Sequence, residues 1–499
     1  MPVQQLPTNP SLENLRKQSK SFHKAVRSND PEALARLREF HPRPTEALDN
    51  FRLSDAQLIV ARTYDFASWA RLKDYVETLN QHSFMPPHPQ SVIDSESITD
   101  RFIRLACLDY LADHVSRREK AREMLAERPS LANENIYTAA TVGDVTIVME
   151  LLSQNPKLAK LRGGPHNWEP LLYATYSRLN SEAAGHSTLE VARILLDYGA
   201  DANAGFLWDG HYVFTGLTGA FGEGEGGPLH QPEHQYCYQL ARLLLEAGAD
   251  PNDSQTLYNR MFTGGTRHLE LLFEFGLGKG GDGVWFKRLG DRLGTPAEML
   301  QQQMGWAAKY NQLKRMKLLI DHGVNVNMAD SRLKRTPYEL AVLNGHKEIA
   351  ELLLQHGATR TLLSDVDAFA AACLTADEQR VRSLLSADPS LLDQLGTRRV
   401  ELLQLAAERD SQDAIRLMAR LGFDLNEVSR TTPLHNAAMG GHLEMVKLLI
   451  ELGADPSIHD TEFNATPRGW AEYGGHTQVA TFLDSIQSYG RAVDDELSG

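Results

Sequence analysis

Thr432-Pro433-Leu434-His435 opens a run that passes through Gly441-His442-Leu443 and Leu448-Leu449-Ile450 and stops at Gly453-Ala454-Asp455. A helix start, two short apolar segments and a glycine stop fall within about 25 residues, and the arrangement recurs along the chain. Such a unit is too short to bury a core of its own. Its apolar faces are hidden only when a neighbour stacks on them, so recurrence forces a solenoid and overrules the roughly three domains that length alone suggests.

The chemistry of the unit is legible residue by residue. Thr432 offers an oxygen at a helix start, and Pro433 occupies the first turn, where its missing N–H does no harm. Leu434, Ala437 and Ala438 form a close-packing face on the first helix, and Val446, Leu448 and Leu449 form one on the second. Gly440-Gly441 permits the turn between them, and Gly453 provides a left-handed stop before Asp455-Pro456. Clear echoes are Thr336-Pro337-Tyr338 through Gly345-His346 to Gly357-Ala358, and Thr466-Pro467 through Gly475-His476. Further helix ends stand at Gly199-Ala200-Asp201, Gly248-Ala249-Asp250 and Gly323-Val324-Asn325, with weaker units around Leu151, Leu271, Leu384 and Leu417. His346, His435 and His442 recur at repeat positions, which marks them as backbone-bonding structural residues.

The well-formed C-terminal stretch keeps a period of about 33 residues and resembles the ankyrin repeat over 99–488. The resemblance implies an all-α fold, an ankyrin-repeat solenoid of about ten helix-turn-helix units with short loop hairpins. Two stretches exceed the period and are expected as insertions, 205–234 and 278–303. Residues 11–79 read as a small helical region of their own. Ser11 is placed to cap a helix with Leu12, Leu15 and Phe22 on one side, Asn29-Asp30-Pro31 starts another, and Ser54-Asp55-Ala56-Gln57 gives a capping-box pattern. Trp69, Leu72 and Val76 share a face. Residues 80–98 break periodicity and are expected as a linker, with disordered tails at 1–10 and 489–499. The helical preface and the two insertions together resemble a broad group of bacterial ankyrin-repeat proteins.

Composition limits the possible functions. A net charge of −14, with no conspicuous Lys/Arg cluster, argues against nucleic acid or membrane surfaces as partners. Cys107, Cys237 and Cys373 are scattered, which suits a reducing cytoplasm. The first residues lack the pattern of a secretory signal, and no apolar stretch is long enough to span a bilayer.

Motifs for chemistry are sparse. Gly222, Gly224 and Gly227, and again Gly276, Gly278 and Gly281, satisfy G-x-G-x-x-G, but they fall at repeat loops outside any βαβ unit, and Glu223 and Glu225 would repel a pyrophosphate. They read as turn glycines. His230, His234 and Cys237 are metal donors within eight residues, yet Pro232 disrupts the helix that would align them. The expectation is no metal. No GxSxG, HExxH or P-loop occurs, and no cofactor is expected.

The remaining signal is aromatic. Phe206, Trp208, His211, Tyr212, Phe214 and Phe221 gather in the first insertion, which stacking does not require. Trp168, Tyr173, Tyr176 and Arg178 lie nearby, with Glu223 and Tyr258. Aromatics and arginine dominate interface energetics, so these residues are candidates for a partner or ligand site; a local mini-core is the alternative. Typical ankyrin proteins bind a protein partner on a concave face without catalysis, and the resemblance implies that function here. The competing expectation is an enzyme or small-molecule binder, whose pocket the insertion would form against that face.

Overall fold

The computed structural model describes residues 4–7, 9–85, 96–180, 184–281 and 283–486 and divides into two compact units, Met1–Met299 and Leu300–Gly499. The expected C-terminal tail, most of the expected linker and part of the expected N-terminal tail lie outside the described residues.

In the first unit, helices Leu12–Arg27, Pro31–Phe40, Leu53–Thr63 and Trp69–His82 make up a helical preface. Ser11 and Asp30 cap the first two through bonds to Asn14 N and Ala33 N. The third starts two residues earlier than the capping-box pattern suggests. Arg52 is its N-cap, and Asp55 reaches back to the Arg52 N–H at 2.7 Å, which leaves Ser54 inside the first turn. Phe22, Val26 and Leu37 pack with Phe51 and Ile59, and Leu15 packs with Tyr64, Leu72 and Val76.

This preface is tied to the repeats by a small sheet. β1 (Ser83–Phe84) pairs in parallel with β2 (Gly205–Trp208), which pairs antiparallel with β3 (Tyr212–Thr215). The start of the expected linker is therefore a strand and not a bare connection. The first insertion supplies the hairpin β2–β3 and then helix Gly216–Phe221, which packs between Pro170–Tyr176 and Cys237–Glu246 as the first helix of a repeat. Part of the second insertion forms helix Val284–Leu289. It carries Trp285 and Leu289 into a cluster with Leu207 and Val213, covered by Tyr75 and Leu79 of the preface. His82 meets the Trp285 ring edge-on at 5.2 Å, and the Arg292 guanidinium lies 4.6 Å from Phe66 and 4.8 Å from Tyr75. Neither insertion is a free loop. Both fasten the helical preface to the repeats.

Successive helix pairs make up the second unit: Pro337–Leu343 with Lys347–Gln355, Asp365–Leu374 with Glu378–Ala387, Arg398–Glu408 with Gln412–Arg420, and Pro433–Met439 with Leu443–Glu451. Phe369, Leu403, Ala406, Leu434, Ala437, Val446 and Leu449 form one continuous buried core across the last three of these pairs. Alanines on the first helices let their backbones approach, and leucines on the second cover them. Thr336 and Thr432 stand at N-cap positions ahead of Pro337 and Pro433. His435 accepts at Nδ1 from the Thr432 N–H at 3.2 Å and donates from Nε2 to Ala465 O at 3.1 Å. His346 and His442 point the other way, reaching the Lys309 and Glu408 carbonyls at 3.0 and 3.1 Å. The three histidines thus bond backbone between neighbouring units.

One side-chain device recurs in both units. Four residues after four of the left-handed helix-stop glycines, Gly199, Gly248, Gly323 and Gly422, an asparagine bridges to the next helix stop. Asn203 donates to Gly248 O and accepts from Asp250 N, each at 2.9 Å. Asn252 does the same with Lys279 O and Gly278 N, Asn327 with Gly357 O and Thr359 N, and Asn426 with Gly453 O and Asp455 N. Each amide satisfies a carbonyl that helix termination leaves orphaned. With about 1 kcal/mol per bond, and more where a partner is left bare, Asn426→Ala is expected to lower unfolding stability by about 1–3 kcal/mol in urea denaturation. An unchanged transition would remove the ladder from the stability of this unit.

The loop ahead of Thr466 turns on Asp460, whose carboxylate accepts from the N–H groups of Glu462, Phe463 and Ala465 and from Trp470 Nε1. Burial alone would raise this carboxyl's pKa. The four hydrogen bonds together outweigh it and hold the group well below the usual carboxylate range. A depressed folded-state pKa gives stability that is complete above the unfolded value of about 4 and is lost as pH falls through the folded value. Thermal melts are therefore expected to show a smaller acid-induced drop in Tm for Asp460→Asn than for the wild type, from a lower starting value near neutral pH.

Candidate functional site

The aromatic cluster is where the sequence concentrates its unexplained residues, and the structure places most of them in the interior. Pro170 starts a short helix whose Tyr173 and Tyr176 are fully buried, as is Trp168 just before it. Trp168 lies between two rings, Phe206 of β2 at 4.5 Å and His166 at 4.2 Å. Phe84 of β1 meets Trp168 and Phe206 edge-on. Tyr173 donates to Gly163 O at 2.7 Å and Tyr176 to Thr215 O at 2.9 Å, so each hydroxyl is fixed to backbone. Burial pushes the His166 imidazole down to about 3 and raises both tyrosines, so all three stay neutral. This is the mini-core that seats the hairpin. Trp168, Tyr173 and Tyr176 are buried within it.

Arg178 is also interior. Its guanidinium donates to four carbonyls, those of Pro232, Gly219, Thr175 and Ser177, at 2.6–3.2 Å. An always-charged group that touches only carbonyl dipoles is a clamp, here between the repeat helix and the insertion. Phe221 is buried with its ring edge-on to Tyr238, and Trp208 donates from Nε1 to Asp109 O at 3.0 Å. Glu223, in the left-handed region at φ 56°, pairs with Arg260 at 2.8 Å and accepts from Thr263, while Arg260 also reaches Glu233. Desolvation raises the Glu223 carboxyl, opposed by Arg260. Tyr258 donates to Glu225. Of the candidates, His211 and Tyr212 are exposed at the hairpin tip, Tyr212 by 57%.

The metal-donor set is not convergent. Tyr236 N–H donates to His234 Nδ1 at 3.0 Å, which requires that nitrogen to be unprotonated and makes Nε2–H the donor to Thr188 Oγ1, also at 3.0 Å. His234 therefore has no lone pair to spare. His230 lies against His114, and burial drives the Cys237 thiol up to about 12. Among the described residues, no three His, Cys, Asp or Glu side chains are grouped to hold a metal. The two glycine runs are loop turns. A side chain at Gly222 would meet Pro232 O at 2.3 Å, which gives that glycine a packing reason.

An open groove exists elsewhere, in the second unit. It has a volume of about 330 Å³ and runs along the first helices of successive pairs, between Lys309-Tyr310, Asn344, Leu374, the face of Arg398–Glu408 and Asn436. Its floor is apolar (Leu343, Ala370, Leu402, Leu405) and its walls are polar. The upper end is rigid, because Arg409 donates to Lys309 O at 2.8 Å and Asn344 Oδ1 at 2.7 Å. Tyr310 stacks on Trp306 at 4.2 Å, and Lys309 Nζ lies 5.1 Å from the Tyr310 ring. Burial lowers the Lys309 ammonium and raises the Tyr310 hydroxyl to about 12. At the lower end Arg335 and Arg398 share the Asp367 carboxylate at 2.9 and 3.0 Å. None of these groove residues stood out in the sequence. Glu401, Gln404 and Glu408 look like solvated positions of an ordinary helix, and only stacking brings them opposite Lys309 and Asn436.

Residues 300–362 and 369–460 match the family model "Ankyrin repeats (3 copies)". The chain is 29% identical over 170 residues to ankyrin repeat and KH domain-containing protein mask-1 of Caenorhabditis elegans, covering 34% of this chain and 6% of that one. It is 24% identical over 161 residues to Rabankyrin-5 of Mus musculus (31% and 14%), and 37% identical over 90 residues to ankyrin repeat and SOCS box protein 6 of Homo sapiens (18% and 20%). The chain thus spans a fifth or less of the length of these relatives. The C-terminal half carries ankyrin repeats, and the helical solenoid read from the sequence agrees with them. Among the described residues no helix is long and apolar enough to cross a membrane.

Replacing Arg178 tests its role as a clamp. Arg178→Met leaves four carbonyls without their donor and is expected to cost about 3–5 kcal/mol in chemical denaturation followed by tryptophan fluorescence. Arg178→Lys, with one ammonium for the same carbonyls, should recover only part of the loss.

Proposed function

We propose that this chain is a non-catalytic scaffold that binds another protein along the groove of its ankyrin repeats. The observation that carries the reading is the groove itself, an open channel with an apolar floor and polar walls across several successive repeats of the second unit. Rigid secondary elements hold those walls, so a partner would meet preorganised side chains and lose little freedom in ordering them. Trp168, Tyr173 and Tyr176, first expected to meet a partner, are buried where they seat β2–β3. That leaves the regular repeats, and not the irregular segment 165–260, as the partner face. Three buried unpaired thiols support a reducing compartment, and the helical preface with its insertions supports kinship with the bacterial ankyrin-repeat proteins that the chain resembles.

Site-specific photocrosslinking tests the reading. A benzoylphenylalanine at Leu405, in the groove, should capture a protein partner in lysate of the source organism, whereas the same probe at Tyr212 on the hairpin tip should not. Capture from Tyr212 with none from Leu405 would return the partner face to the insertion.

A further inference from the structure

The groove has a specific pattern of uncommitted polar atoms. Gln404 donates from Nε2 to Thr431 O at 2.6 Å and Thr431 Oγ1 at 3.1 Å, and Thr431 Oγ1 in turn donates to Asn436 Oδ1 at 2.8 Å. This relay fixes the orientation of both amides. It leaves Gln404 Oε1 as an acceptor and Asn436 Nδ2 as a donor, neither with a partner among the described residues. One acceptor beside one donor is the complement of a peptide main chain, which presents an N–H and a C=O.

Carboxylates flank that pair. Glu401 and Glu408 line the groove on Arg398–Glu408 and make no ion pair among the described residues. Seven positions apart on a helix, they share a face with a separation of about 10 Å. The nearby cations are largely occupied. Arg398 is held by Asp367, Arg409 donates to carbonyls while also partly offsetting Glu408, as His442 does, and Lys309, which partly offsets both Glu408 and Glu401, leans over Tyr310. A peptide in polyproline II conformation repeats its facing side chains every third residue, about 9 Å apart, and leaves its own N–H and C=O groups unpaired.

We propose that the groove binds an extended peptide segment with two basic side chains three residues apart, Gln404 and Asn436 pairing its main chain while Glu401 and Glu408 receive its cations. This rests on the groove being the partner face. The aliphatic stems of the basic residues would lie on Leu402 and Leu405 with their heads at the carboxylates, as long cationic side chains do at apolar surfaces.

The probes are fluorescein-labelled decapeptides on the full chain, read by fluorescence anisotropy: GSARAARASG, the same peptide with both arginines as glutamine, and the same with both as glutamate. The arginine peptide is expected to bind at least about tenfold tighter than the glutamine peptide, and the glutamate peptide weakest. E401Q/E408Q, whose fold is checked by circular dichroism, should bring the arginine and glutamine peptides to within about twofold. N-methylation of the two residues between the arginines should weaken binding by about tenfold, since it removes the main-chain donors. Equal binding of the three peptides by the wild type, or an arginine preference that survives E401Q/E408Q, overturns the inference. If Leu405 still crosslinks a partner in that case, only the basic-peptide inference fails; if it does not, the partner face itself is wrong.

Discussion

The asparagine ladder is the interaction on which the repeats depend. A helix that ends in a left-handed glycine leaves carbonyls without donors, and stacked units place those carbonyls, still exposed, within reach of a side chain from the preceding unit. Asn203, Asn252, Asn327 and Asn426 each provide one donor and one acceptor to the next unit's helix end, so four of the stops are closed by the unit before them. The burial of leucines and alanines supplies most of the stabilisation but is non-directional. The amides give the stacking its register. Where the equivalent position is Thr361 the amide is missing, Leu362 next to it is 90% exposed, and the family match breaks between residues 362 and 369.

The first unit solves a different problem. Its helical preface has small cores of its own and needs a partner for the face carrying Tyr75 and Leu79. A hairpin inserted before a repeat helix supplies that face through Leu207 and Val213, and β1 joins the same sheet. The cost is a hairpin that must be held at an angle to the repeat helices. Trp168, His166, Tyr176 and Phe206 fill the space between them, and Arg178 ties Gly219 and Pro232 to the end of helix Pro170–Tyr176. Trp168, Tyr173, Tyr176 and Arg178, which read in the sequence as binding chemistry, are spent on the packing of this junction.

The repeats were legible because their signals are local. Thr432-Pro433, the Gly440-Gly441 turn and Gly453 each act within a few residues, and the resulting helices begin and end where those residues predict. The ladder was also within reach, since asparagine stands four residues after Gly199, Gly248, Gly323 and Gly422 alike. The roles of the aromatic residues were not, because a buried ring and a partner-facing ring have the same spacing in one dimension. Phe206 alternates out of and into the sheet like any strand residue, and only the pairing of β2 with β1 turns it toward Trp168. Glu401 and Gln404 were invisible for the opposite reason: in a single helix they are unremarkable, and their meaning comes from Thr431 and Asn436 on the next unit.

That contrast bears on where function resides in a stacked protein. Stacking uses polar atoms in pairs, and in the ladder both the nitrogen and the oxygen of each side-chain amide bond the neighbouring unit. In the groove, Thr431 orients Gln404 and Asn436 but consumes only one polar atom of each. Side-chain amides that are held rigidly yet half unsatisfied contribute less to stability than the ladder amides, while the entropy of ordering them has already been lost. A partner that completes their hydrogen bonds gains without that ordering cost. The same residue type therefore serves both purposes, and the number of atoms left over distinguishes a structural amide from a recognition amide.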